Sequence, residues 1–413
     1  MPAVPAPVRA RLRQSGGDLV RRLGLLPGGD PDGLGEDRAL QDLSPEQRVV
    51  VFFPEPPRNA YQLLQWLDAL AELDARYGVL VLTQDSRTTA VLRAHTALPV
   101  HCVARAATID GLVDRGQLAL ALYVGHHPRN FVLLRYPQLA HVFIGHGDSD
   151  KGVSASNQLK AYDRSFVAGQ AAVDRITADL TWYDPARLVP VGRPQVAAPA
   201  PRAPASRDSA TVLYAPTWEG GQPSVAYSSV LSHGDALVRS LTGAGLRVVY
   251  RPHPRTGANR RDVAAADAAL RRLFDEPAVA ATGSTVDTGR PVAEAVADAD
   301  LMITDVSAMA VEWLPTLRPL VVTQPAEAGA RVGTSRLLDT VPRLAAAGAD
   351  RAHELVLRCL TDDPGLAQRR ELVEHYLGDI DPGVSLTRFL DACGDVLTAR
   401  DAARTGLLFP APR

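Results

Sequence analysis

From Arg48 onward the chain repeats one unit: four or five apolar residues in a row, then a segment whose apolar residues return at helical spacing. Val49–Phe53 precedes a predicted helix over about Ala60–Arg76, with Leu63, Leu64, Leu67, Leu70, Ala71 and Leu73 on one face. Val79–Leu82 leads to a helix near Thr88–Ala94, and Val100–Val103 to a short helical stretch, Ile109–Val113. Leu118–Val124, Val142–Ile144 and Ser165–Val167 complete a first series, with another short helix around Phe131. After a stretch rich in Ala and Pro, Val196–Pro204, the pattern restarts. Thr211–Ala215, Arg247–Tyr250, Val279–Ala281, Leu301–Thr304 and Leu320–Thr323 read as strands, and Ser228–Gly245 and Asp262–Phe274 as helices. Ala345–Leu397 reads as mostly helical. Short, wholly apolar strands are buried on both faces, and strands alternating with helices at this spacing form parallel sheets.

With 413 residues the chain exceeds one ordinary core. The expected class is α/β: two facing Rossmann-like domains with parallel sheets and a helical C-terminal region, the GT-B arrangement of many glycosyltransferases. The expected division is a basic segment and flexible joint at 1–45, a first domain at 46–195, a linker at 196–209, a second domain at 210–397 and a tail at 398–413. Neither domain has a Gly-x-Gly-x-x-Gly after its first strand, and there is no Gly-Lys-Ser phosphate loop, which argues against a nicotinamide or flavin dehydrogenase and a P-loop enzyme.

The formal net charge of −2 gives no field to recruit nucleic acid, so no nucleic-acid partner is expected. The sequence contains neither a membrane-spanning apolar run nor a secretory signal. Cys102, Cys359 and Cys393 are scattered, which fits a reducing cytoplasm and neither a disulfide framework nor a metal site. No metal and no cofactor is expected. The N-terminal segment, with Arg9, Arg11, Arg13, Arg21 and Arg22 among leucines and valines, reads in two ways. It is a solvated tail or docked helix, or a peripheral contact with anionic lipid at the inner face of the membrane.

Open α/β sheets bind ligands at the carboxyl ends of their strands, so residues at strand exits are the candidates for chemistry. In the first half, Gly145-His146-Gly147-Asp148-Ser149-Asp150-Lys151 follows a strand. His146 is suited to take a proton from an attacking hydroxyl, with Asp148 or Asp150 orienting its ring and Lys151 meeting a phosphate. The alternative is a loop histidine that caps a strand end. His126, His127 and Asn130 follow another strand, as candidates for an acceptor channel. In the second half, Arg251-Pro252-His253-Pro254-Arg255 places two guanidinium groups and an imidazole on a proline-stiffened turn. A surface basic turn is the alternative. Thr304, Asp305, Ser307 and Ala308 open a helix and are candidates for phosphate binding or for simple capping. Glu312 lies further along that helix, within reach of ribose hydroxyls or else solvated. Tyr214-Ala215-Pro216-Thr217-Trp218-Glu219 is a third strand exit that could line the cleft.

In order along the chain, His146-Gly147, Tyr162-Asp163, Leu213–Trp218, Tyr250–Pro254, Ile303–Ser307, Glu312 and Arg318-Pro319 together resemble the CDP-glycerol glycerophosphotransferase family of teichoic-acid synthases. The resemblance spans about residues 115–325. It implies a GT-B transferase that uses a CDP-activated donor, with an acceptor hydroxyl attacking the β-phosphorus and CMP leaving. It matches His146 to the base, His253 to the diphosphate-binding histidine, Ser307 and its helix start to the phosphates and Glu312 to the nucleotide. Arg251, Arg255, Thr217, Thr304, Asp305 and Ala308 fall on the donor side. His126, Asn130, Asp150 and Lys151 fall on the acceptor side, and the acceptor is a polyol phosphate or glycan, lipid-linked or not. Two departures stand out. The family's His-Gly-Thr-Pro reads here His146-Gly147-Asp148-Ser149, and the second serine of its serine pair is Ala308. They leave open a different CDP-alcohol, a nucleotide-sugar donor, or single addition in place of polymerisation. A non-catalytic nucleotide-binding scaffold is the reading from a different class.

Overall fold

The strands form where the apolar runs predict them, because residues buried on both sides of a sheet need no polar alternation. The computed structural model of the protein describes residues 35–150, 155–195, 210–333 and 335–408. The first sheet has seven strands: β1 (Val49–Phe53), β2 (Val79–Thr83), β3 (Val100–Cys102), β4 (Leu120–Tyr123), β5 (Ala140–Phe143), β6 (Arg164–Val167) and β7 (Leu188–Pro190). Their order is β3-β2-β1-β4-β5-β6-β7 and every pairing is parallel. The second sheet comprises β8 (Thr211–Ala215), β9 (Arg247–Tyr250), β10 (Thr285–Val286), β11 (Leu301–Thr304), β12 (Leu320–Thr323) and β13 (Arg343–Leu344). Its order, β10-β9-β8-β11-β12-β13, is also parallel throughout and repeats the winding of the first sheet.

In each sheet the strand order reverses beside the first strand, between β1 and β4 and between β8 and β11. A crevice opens at such a switch point, outside the carboxyl ends of the strands. Glu55 and His126 follow β1 and β4, while Thr217 and Ser307 follow β8 and β11. The two crevices therefore carry the segments singled out as strand exits.

Several elements differ from the sequence reading. The helix expected over Ala60–Arg76 is broken into Tyr61–Leu64 and Leu67–Tyr77. At the break, Gln65 and Trp66 turn their side chains to backbone carbonyls of the His146 loop. Val279–Ala281, expected as a strand, lies at a short helix, Pro277–Ala280, that buries Val279 in the core. The strand is instead Thr285–Val286, too short and polar to carry an apolar signal. Strands β7 and β13 were not expected, and the helix within Ser228–Gly245 is confined to Gly234–Gly243. Gly35 to Leu40, assigned to the N-terminal joint, packs on the first domain: Leu40 is buried, and Glu36 bonds to Arg93. Residues 1–34, Lys151, the 196–209 linker and residues 409–413 lie outside the described residues.

The largest difference is at the C-terminus. A boundary was expected at 397, yet one helix runs from Val384 to Leu408 and returns to the first domain. Phe389, Leu390, Cys393 and Leu397 join the core built from β1, β2 and the Leu67–Tyr77 helix. The Trp66 and Phe389 rings lie 5.2 Å apart. Just before it, the Leu366–Leu377 helix packs on the Gln170–Asp179 helix so closely that a Cβ on Gly169 would meet the Tyr376 carbonyl oxygen at 2.5 Å. The domains are thus bound together by a chain that crosses between them more than once.

Removing the Phe389 side chain would open a cavity in the first domain, although Phe389 belongs to the far end of the sequence. Phe389→Ala is expected to cost about 3–5 kcal/mol in denaturant-induced unfolding. A loss below about 1 kcal/mol would mean that the helix merely rests on the surface.

Candidate functional site

A cleft of about 570 Å³ lies between the two domains, lined by both switch-point crevices. Ala308 of the second domain approaches the His146 loop here, since a Cβ on Gly147 would stand 3.1 Å from its own Cβ. His146, Asp148, His126, Thr217, Arg251, His253, Arg255, Ser307, Ala308 and Glu312 all face the cleft.

His146 is placed by its backbone. Trp66 Nε1–H donates to the Gly145 carbonyl at 2.7 Å, and Gln65 Nε2–H and Arg193 donate to the His146 carbonyl, the latter at 3.2 Å. The ring is placed by Nδ1, 3.0 Å from the Val124 carbonyl oxygen. A carbonyl can only accept, so the proton of the neutral ring sits on Nδ1 and Nε2 is the basic nitrogen. His253 has the opposite arrangement. Its Nδ1 accepts from the Arg255 backbone N–H at 3.0 Å, so in the neutral ring Nε2 carries the proton and donates. The two rings come from different domains and both stand edge-on to Tyr61, with centroid distances of 6.1 Å for His146 and 5.7 Å for His253. Burial pushes the Tyr61 hydroxyl above the usual phenol value, while Gln62 and Arg255 act the other way.

The Arg-Pro-His-Pro turn is held from the strand exit after β8. Trp218 stacks on the His253 ring and lies under the Arg255 guanidinium, 3.8 Å from its ring centroid. Buried Glu219 accepts from the backbone N–H groups of Gly257, at 2.9 Å, and Asn259, at 2.7 Å. Arg255 Nε is buried without a partner.

Other candidates are engaged elsewhere. Asp148 and Asp150, expected to orient His146, both bind Arg175. Asp150 also accepts from Ser335 and from the Tyr376 hydroxyl, so it fastens the loop to the second domain and lies away from the cleft lining. Thr304 and Asp305, expected at the phosphates, are wholly buried beneath the cleft. Asp305 accepts from the backbone N–H of Thr217 and of Ser229 and from the Thr323 hydroxyl, fixing the exit of β8; burial pushes its carboxyl up. Thr304 Oγ1 donates to the Ala215 carbonyl. Ser307 makes no side-chain cap and lies within 3.1 Å of the Thr304 hydroxyl. Asn130 is buried, donating to Gly125 and Tyr162, and so holds the loop that carries His126. Arg251 lines the cleft with its guanidinium held by Asp287 at 2.9 Å. Glu312 accepts from Arg193 at 3.1 Å, and burial pushes its carboxyl above the usual range against the pull of Arg193 and Arg251. Among the described residues, no cluster of His, Cys, Asp and Glu could hold a metal ion.

Residues 192–327 match the family of CDP-glycerol:poly(glycerophosphate) glycerophosphotransferases. The matched stretch takes in the Trp218, His253, Ser307 and Glu312 blocks, while the His146 loop lies ahead of it. A search of curated protein sequences found no match. Among solved structures, the chain is similar to the wall teichoic acid polymerase TagF, at 13% identity over 96% of this chain and 100% of that one, with a TM-score of 0.56. It is also similar to a glycosyltransferase from Rickettsia africae, at 10% identity over 85% and 99% of the two chains and a TM-score of 0.52. Anabaena Alr3699/HepE, solved with UDP and glucose, is similar at 11% identity over 86% and 100%, with a TM-score of 0.52. At these identities the likeness establishes the fold, which is GT-B as the alternating pattern implied.

Tyr61, Gln65, Trp66, Arg175 and Arg193 were missed. All lie on helices or ahead of the linker, where local sequence looks like packing or solvated charge, and only the Gly192-Arg193-Pro194 turn could have drawn notice. His126 offers a test of the cleft's dryness. Its ring stacks on Phe143 at 4.1 Å, and burial, aided by nearby His146, pushes it down to about 4. A histidine whose folded value is depressed contributes stability above its unfolded value near 6.5 that is lost as pH falls towards the folded one. Between pH 7 and 4.5, about 2–3 kcal/mol of unfolding free energy is expected to be lost through this ring. His126→Phe should recover most of that difference in paired denaturant titrations, and an unchanged loss would place the ring in solvent.

Proposed function

We propose that the protein moves glycerol phosphate from CDP-glycerol to a hydroxyl of a cell-envelope glycopolymer or lipid-linked acceptor, releasing CMP. The observation that carries this reading is the pair of histidines of opposite tautomer facing one cleft, the second inside the matched stretch. A basic nitrogen on the first-domain side and a donating nitrogen on the other suit an in-line displacement at phosphorus. The acceptor oxygen forms the new bond to the β-phosphorus and its proton passes to His146 Nε2. The bond from that phosphorus to the bridging oxygen breaks, and CMP leaves with the electron pair. His253 Nε2–H and the Arg255 guanidinium donate to the diphosphate oxygens as charge collects there. Glu312 would exchange its Arg193 partner for a ribose hydroxyl of the donor.

No helix among the described residues is long and apolar enough to cross a membrane. The arginines between Val8 and Leu26 are proposed to hold the protein on anionic lipid, next to a lipid-linked acceptor. Deleting residues 1–34 is expected to abolish co-sedimentation with vesicles containing phosphatidylglycerol, and unchanged co-sedimentation would overturn the assignment.

A thermal-shift screen against CDP-glycerol, CDP-ribitol, CMP and UDP- and GDP-sugars tests the donor. At about 100 times its dissociation constant, the bound donor adds about 2.7 kcal/mol of stability. CDP-glycerol is expected to give that shift, His253→Ala to lose it, and His146→Ala to keep it while CMP release falls about 10²–10⁴-fold. Selective stabilisation by a nucleotide sugar would instead make the protein a glycosyltransferase, and silence towards every nucleotide would leave a scaffold.

A further inference from the structure

His146 belongs to the first domain by sequence, yet the second domain takes part in setting where it stands. Arg193 donates to the His146 carbonyl at 3.2 Å and to Glu312 Oε1 of the second domain at 3.1 Å. A Cβ on Gly147 would stand 3.1 Å from the Cβ of Ala308. The most fully built of the ties lies at Asp150, four residues beyond the histidine.

Asp150 turns one carboxylate oxygen to each domain. Its Oδ1 accepts from Arg175 Nη1 at 2.9 Å, on the Gln170–Asp179 helix of the first domain. Its Oδ2 accepts from the Ser335 hydroxyl and from the Tyr376 hydroxyl, the latter at 2.6 Å. The Asp150 and Arg175 side chains are 10% and 11% exposed, and Ser335 and Tyr376 are buried. A carboxylate so placed needs several donors, and here they come from both sides of the cleft. The second-domain donors are themselves fixed. Ser335 caps the Arg336–Thr340 helix by accepting from the Leu338 N–H at 3.1 Å, and the Tyr376 oxygen accepts from the Leu337 N–H at 3.3 Å. The carboxylate is therefore held against the start of that helix through two hydroxyls.

Little slack lies between this point and the imidazole. Only Gly147, Asp148 and Ser149 intervene, and Asp148 binds the same Arg175 guanidinium. A displacement of Asp150 is thus passed along the loop. The tautomer that leaves Nε2 basic depends on the contact of Nδ1 with the Val124 carbonyl, which belongs to the first sheet. That contact lasts only while the loop is pressed onto β4.

From this geometry we infer that Asp150 is a positioning residue for His146. With the domains together, Ser335 and Tyr376 hold the loop so that Nδ1 meets Val124 and Nε2 stays basic. With them apart, Asp150 keeps Arg175 alone and the ring is released. Proton transfer is thereby confined to the state in which the donor-bearing domain is docked, and CDP-glycerol is not hydrolysed in the open one. The inference rests on the reading of His146 as the base.

The test follows the His146 ring in the full chain. With the histidine ring nitrogens isotope-labelled and His146→Gln supplying the assignment, long-range proton–nitrogen spectra at alkaline pH report which nitrogen carries the proton. The unsubstituted protein is expected to show Nδ1–H. Ser335→Ala and Tyr376→Phe each remove one second-domain hydroxyl and leave Arg175 in place, and both should shift the ring to a mixture with Nε2–H. Ser335→Thr, which keeps the hydroxyl, should retain Nδ1–H. CMP release from CDP-glycerol, with glycerol or water as the attacking hydroxyl, is expected to fall about tenfold to a hundredfold in Ser335→Ala at unchanged KM for CDP-glycerol. In a His146→Ala background the same substitution should cost nothing further, because it acts through the ring. A ring that keeps Nδ1–H in both variants overturns the inference, as do losses that multiply with that of His146→Ala. Failure of CDP-glycerol to stabilise the unsubstituted protein removes the donor reading by itself, and the tautomer still decides whether Asp150 positions the ring.

Discussion

The cleft depends on a pair of backbone carbonyls, those of Gly145 and His146. Gln65 and Trp66 reach them from a broken helix of the first domain, and Arg193 from the last turn before the linker. Arg193 then continues to Glu312 in the second domain. One guanidinium therefore joins the loop that carries His146 to the helix that carries Glu312. A buried arginine with its hydrogen bonds divided in this way is sensitive to either partner, because losing one leaves charge in a site with little water. Burial pushes the Glu312 carboxyl above the usual range, while Arg193 and Arg251 pull it the other way.

Around that contact, charge is arranged so that most of it is spent before a ligand arrives. Arg175 is held by Asp148 and Asp150, and Arg251 by Asp287. Such pairs in a low-dielectric cleft set direction and register more than they add stability. The cleft is lined besides by the two imidazoles, by Arg255 over Trp218, and on the first-domain wall by buried nitrogens and oxygens that include Arg175 Nε, Arg193 Nε, Asn59 Oδ1 and Gln62 Oε1. The return of the last helix to the first core keeps these walls facing each other.

The fold was legible in the sequence because strands buried on both faces are written as unbroken apolar runs. Val49–Phe53, Val79–Thr83, Thr211–Ala215 and Leu301–Thr304 came through in this way. Val279–Ala281 misled because three apolar residues cannot distinguish a strand from a helix pressed into the core, and Pro277 at the helix start decided the matter. Asp305 reads as an exposed strand-exit group and is a wholly buried acceptor. Its polarity alone could not say whether it would meet a ligand or the backbone of Thr217.

By itself the sequence determined the two parallel sheets and where the strand exits fall, His146 and His253 among them. Periodicity and turn chemistry are local, and they survive whatever the rest of the chain does. The tertiary structure decided which partner each exit residue meets. It chose the tautomers through Val124 and the Arg255 amide, spent Asp148 on Arg175, and brought Phe389 back to β1 from the far end of the chain. Those outcomes turn on which groups meet across tens to hundreds of residues of chain, or across a turn whose geometry only packing sets, and no local pattern records such meetings.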